Sequence, residues 1–166
     1  MAVKCILGVS MRGFKAFFCW ILFVSVFLFS SCSRVILSPN EAIGVLLAAH
    51  SLPSGVVYAL DAGDGQTAAR EMLSRMLGEC EDELGGIRSC AFYLSARGDR
   101  CEAAVFACYS ASAARELATL CLARGTLLAR HDNAVESRVL VKGKTLLWAA
   151  CANPDPMIDT LARAIN

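Results

Sequence analysis

The chain predicts an α+β domain, a mainly antiparallel sheet built from two hairpin–helix units with the helices packed on one face. Three observations carry that expectation. Two β-rich runs, IRSCAFYLSA (Ile87–Ala96) and CEAAVFACYS (Cys101–Ser110), flank a Gly98-Asp99 turn, and a glycine in the first central place suits a two-residue hairpin loop. RVLVKGKTLLWAA (Arg138–Ala150) repeats the plan around Gly143-Lys144. Each hairpin is followed by apolar residues at helical spacing, and runs of this kind fold as helices laid on an antiparallel sheet.

Taken in order, Ser38-Pro39-Asn40-Glu41 opens the first helix. Ser38 caps, Pro39 suits the first helical position, and Glu41 completes a capping box. Ile43, Leu46, Leu47 and His50 follow at helical spacing until Pro53 and Gly55 end the helix. GVVYAL (Gly55–Leu60) reads as a strand, DAGDGQ (Asp61–Gln66) as a loop, and Thr67–Glu79 as an amphipathic helix. The apolar stripe of that helix is Met72, Leu73, Met76 and Leu77, opposite Arg70, Glu71, Ser74 and Arg75. The two-residue turn sets Cys90 across from Ala107 in the first hairpin. Cys90, Phe92, Leu94 and Ala96 then share an apolar face with Cys101, Ala103, Val105 and Ala107, leaving Ser89, Tyr93, Ser95 and Glu102 on a solvated one. Ser112–Arg130 is a helix with Leu117, Leu120, Cys121 and Leu127 or Leu128 inward. The second hairpin aligns Val139, Val141, Leu146 and Trp148, and a last helix starts at Asn153-Pro-Asp-Pro156 with Ile158, Leu161 and Ile165 repeating.

The N-terminus has a different character. Lys4, Arg12 and Lys15 precede 14 residues, Ala16–Phe29, in which Ser25 alone is polar. A membrane-spanning helix needs about 20 apolar residues, and a shorter run behind positive charges is the pattern of an export signal. Met11 offers a second start that would make the signal compact. Ser30-Ser31-Cys32 resembles a bacterial lipobox, in which small residues precede a cysteine that is acylated and becomes the mature N-terminus. Phe29 stands where that motif usually has leucine. The expectation is a lipoprotein signal peptide over 1–31, lipidation at Cys32, a short tether over 32–38 and one α+β domain over 39–166. An uncleaved N-terminal anchor is the other reading. A buried helix fits poorly, because apolar residues would face every side with no polar stripe.

Downstream of Cys32 the chain is one domain in size. Lys4, Arg12 and Lys15 carry three positive charges and no acid precedes Cys32, so the net +1 of the whole chain becomes −2 in the mature part. A near-neutral domain is a poor nucleic-acid binder, which needs a basic face. Six cysteines remain: Cys80, Cys90, Cys101, Cys108, Cys121 and Cys151. An even number in an exported domain invites disulfides, whereas free cysteines behave as small core hydrophobes. The two-residue register puts Cys90 and Cys108 on opposite sides of the sheet, which forbids a bond between them. Cys121 could meet Cys90 or Cys101 from the covered side.

The segments CEAAVFACYSASAARELATLCLARGTLLAR and VESRVLVKGKTLLWAACANPD resemble the C-terminal half of an uncharacterised domain found in small bacterial membrane lipoproteins. Glu102, Val105, Phe106, Arg124, Gly143 and Pro154 sit where that family's pattern places them, while Thr145 and Leu146 replace its usual aromatic after the turn glycine. The resemblance implies a lipid-anchored envelope domain and no specific activity.

Motifs for chemistry are sparse. Asp61–Gly65 lacks the glycine and lysine spacing of a phosphate loop and the alternating acids of a calcium loop. Arg97-Gly98-Asp99 presents a cation and a carboxylate at a hairpin tip, an adhesive tripeptide and a speculative interaction turn. His50 and His131 each stand alone, away from cysteine pairs at ligand spacing, so neither a metal site nor a catalytic set is expected, and no cofactor. The expected function is a lipid-anchored, extracytoplasmic envelope lipoprotein. It would be held to a bacterial membrane through Cys32 and bind an envelope protein or small ligand without catalysis. The alternative is a thiol-dependent envelope enzyme.

Overall fold

The computed structural model describes residues 37–61, 67–78, 84–96 and 100–166, and Val35–Asn166 form one compact unit. The expected signal peptide, Cys32, most of the tether, the loop after Asp61, Cys80 and the Arg97-Gly98-Asp99 turn lie outside the described residues. The described elements are α1 (Pro39–Ala49), β1 (Gly55–Leu60), α2 (Thr67–Leu77), β2 (Ile87–Ser95), β3 (Glu102–Cys108), α3 (Ala111–His131), β4 (Glu136–Lys142), β5 (Thr145–Cys151) and α4 (Asp155–Ala164). The fold is α+β, with a five-stranded antiparallel sheet and four helices packing against it.

The strand order is β1-β2-β3-β5-β4. β3 is central, paired with β2 on one side and β5 on the other. The second hairpin folds as expected. Lys142 pairs with Thr145 across Gly143-Lys144, and Gly143 takes φ +58°, a backbone region glycine enters without a Cβ penalty. Val139 lies opposite Trp148 and Val141 opposite Leu146.

The first hairpin departs from expectation by one residue. Cys90 pairs with Phe106 rather than Ala107, and Leu94 pairs with Glu102. The cause lies in where the helices sit. They do not gather on one face. α2 and α3 pack on the face bearing Cys90, Phe92, Ala104, Phe106, Leu146 and Trp148. α1 and α4 pack on the face bearing Ala91, Tyr93, Ala103, Val105, Leu147 and Ala149. Both faces of the central strands are therefore dry, and Tyr93 and Glu102, expected in solvent, are 2% and 6% exposed. A strand that is apolar on both sides carries no alternation to fix its register.

Each helix is seated by its sequence. Ser38 caps α1, and its N–H donates to Glu41 Oε2 at 2.8 Å. This hydrogen bonding holds the Glu41 carboxyl below its usual range. Ser110 caps α3 through the Ala113 N–H. The inward residues of α3 include Leu117, Cys121 and Leu128, while Leu127 is half exposed. At Gly125, α3 comes so close to β4 that an added Cβ would lie 2.3 Å from Ser137 Cβ and Oγ. Ser137 Oγ also accepts the indole N–H of fully buried Trp148 at 2.9 Å. Gly125→Ala should push α3 off the sheet and disturb the Trp148 bond, because the close neighbour is a side chain rooted in a strand. We expect a loss of about 1–3 kcal/mol, the range for overpacking a tight contact, and a shifted tryptophan emission maximum. Unchanged denaturation and emission would refute that packing.

Candidate functional site

The chemistry-bearing residues meet where β3 begins and β5 ends, on the face covered by α1 and α4. Glu102 pairs with Ala150 across the β3–β5 ladder, so Cys101 lies one step further on, beside Cys151. Cys101 is 4% exposed and belongs to the core of that face. Cys151 is partly exposed, and its Sγ lies 3.4 Å from Met157 Sδ on α4. The Cys101 thiol hydrogen-bonds to Cys151, and the backbone N–H of Asn153 donates to the same sulfur. Led by the Cys101 bond and opposed by burial, these contacts pull the Cys151 thiol down to about 7. Donors aimed at sulfur favour the thiolate, the form that acts as nucleophile.

The remaining described cysteines are the opposite case. Cys90, Cys108 and Cys121 lie in the core beneath α2 and α3, which corrects the placement of Cys90 and Cys108 on opposite sides and separates Cys121 from Cys101. Burial pushes the Cys90 thiol up to about 12, aided by Cys108, and the Cys108 thiol up to about 11. Burial raises Cys121 as well. All three are thiols packed as small hydrophobes, without access to a reagent.

Native alkylation should therefore go first to Cys151 among these described cysteines. Its rate should climb as pH rises through about 7, because deprotonation creates the reactive form, rather than near the ordinary thiol value of about 8.5. Glu136, which pairs with Cys151 across the β4–β5 ladder, is bonded to Arg138, and Arg138 also bonds Asp155. Mapping the alkylated peptide against pH checks this. Early labelling of Cys90 or Cys121 would contradict it.

Sequence reading missed this pair because the two cysteines are far apart in the chain and only the β3–β5 pairing joins them. One signal was present. Cys101 starts the return strand of one hairpin and Cys151 ends the return strand of the other, so antiparallel packing of those strands sets start against end.

On the opposite face, Glu102 receives two bonds from Arg124 of α3, Nε to Oε2 at 3.1 Å and Nη2 to Oε1 at 2.6 Å. His50 Nε2 lies 3.0 Å from Thr160 Oγ1, tying α1 to α4. At the far end of the sheet a groove of about 290 Å³ is lined by Ser38, Glu41, Asp61, Arg88, Ser89 and Thr145, among others. Among the described residues, no three histidine, cysteine or acidic side chains gather as metal ligands, and no helix is long and apolar enough to cross a membrane.

No family model matches the chain, and no curated protein or solved structure matches it.

Proposed function

We propose that this chain is a lipid-anchored protein of the bacterial cell envelope whose single domain works by binding, without turnover. One observation carries the reading: basic residues, a short apolar run and Ser30-Ser31-Cys32 stand in that order a few residues before the capped start of α1. Acylation of Cys32 would hold the domain at a membrane on a short tether. Several acyl chains make such attachment stable, whereas one binds only marginally. The resemblance to lipoprotein domains supports the same reading. The groove beside Arg88 and Asp61 offers one concave surface to a small polar ligand.

Cys32→Ser tests the anchor. The variant should lose incorporation of a palmitate analogue and accumulate as a larger precursor, while the parent labels and runs at mature size. A variant that still labels and matures would overturn the reading. One observation favours the thiol-dependent alternative, namely the partly exposed Cys151 held toward its thiolate.

A further inference from the structure

We infer that Cys101 and Cys151 form a reversible cross-strand disulfide, with Cys151 as the attacking sulfur and Cys101 as the resolving one. The inference stands whether or not Cys32 carries lipid and whether or not the domain turns over a substrate.

The backbone decides it first. The Cys108 N–H donates to Lys144 O at 2.8 Å. This makes Cys108, and each second residue back along β3, a hydrogen-bonded partner of β5. Cys101 falls on the alternate set. Its carbonyl instead accepts from the Ser95 N–H of β2 at 3.0 Å, as a residue turned away from β5 must. Cys101 and Cys151 are thus a non-hydrogen-bonded antiparallel pair, the kind whose Cα atoms approach to about 4.5 Å. A disulfide needs about 4.4–6.8 Å. Both side chains point to the α1–α4 face, and the thiols already touch through a hydrogen bond.

Burial then divides the roles. Cys151 reaches solvent in part, whereas Cys101 is covered. With a small disulfide such as oxidised glutathione, the Cys151 thiolate attacks one sulfur. A Cys151–glutathione bond forms, the glutathione S–S bond breaks, and one glutathione thiolate leaves and takes a proton. Cys101 then loses its proton and attacks Cys151 Sγ, which forms the internal disulfide and expels the second glutathione. Two protein thiols are oxidised and one glutathione disulfide is reduced to two thiols. Approach of Cys101 costs little motion, since it is already the neighbouring sulfur.

The test uses the full purified chain equilibrated in mixtures of reduced and oxidised glutathione, quenched by alkylation and mapped without reduction. The expected product is a Cys101–Cys151 cross-linked peptide, with Cys90, Cys108 and Cys121 recovered alkylated after denaturation. Cys101→Ser should stop at a stable glutathione adduct on Cys151, and Cys101→Ala gives the same readout if serine disturbs the core. Oxidation should also raise the parent's denaturation midpoint, and Cys151→Ser should abolish that shift. A glutathione adduct that persists on Cys151 in the parent, or a cross-link joining another pair, would overturn the inference.

Discussion

Val105→Asp should prevent the domain from folding. Val105 sits on the central strand, 2% exposed, opposite Leu147 on β5 and Ala91 on β2. Its face is sealed by α1 and α4, whose Ile43, Leu46, Ile158 and Leu161 belong to the same cluster. The side chains packed around it in that cluster are apolar, and Arg88, which lines the same groove as Val105, is solvent-exposed. Burying the introduced carboxylate costs several kcal/mol, even if it takes up a proton to avoid carrying charge. That is a large part of a typical domain stability of about 5–15 kcal/mol. Val105→Ala is the control. It removes two methyl groups at about 0.8 kcal/mol each plus a cavity term, and it should fold with a lower denaturation midpoint. Circular dichroism and proteolysis separate the outcomes. A folded Val105→Asp domain would mean that this face is open to water.

Glu102→Lys should be severe as well, against the sequence-based expectation that this position faces solvent and tolerates charge reversal. The Glu102 side chain is 8% exposed and receives the fork of Arg124, itself 28% exposed. Breaking a buried pair costs about 3–5 kcal/mol when both partners are sealed. Here Arg124 can turn partly to water, which lowers the loss from truncation alone. Lysine adds a repulsion that truncation does not, because a second cation would replace Glu102, the carboxylate that among the described residues is bonded to Arg124. The double change Glu102→Lys with Arg124→Glu should regain part of the stability, and Glu102→Gln should lose less than lysine. If all single changes at 102 leave the denaturation curve unmoved, the pair contributes nothing measurable.

These two positions also show how far the chain's pattern could be read. The order of elements, the capped start of α1 and the Gly143-Lys144 hairpin were legible because each has a local cause: a capping box, a glycine with positive φ, an apolar stripe. The register of the first hairpin was not. Its reading assumed one wet face, and EAAVFAC is nearly apolar on both. The sharing of helices between two faces is a long-range fact with no local marker. The site followed the same rule. Cys151 looks like any other cysteine until β5 is laid beside β3.

The bond from His50 to Thr160 joins residues 110 positions apart. α1, near the start of the domain, finishes its cover of the sheet only by packing with α4, near the end. During synthesis, β3 therefore waits with one flank bare until the last helix has emerged. Contacts of such long sequence separation slow folding, and an uncovered apolar strand is open to misassociation in the meantime. The domain is built to close late, as a whole, so its two ends settle the fold together.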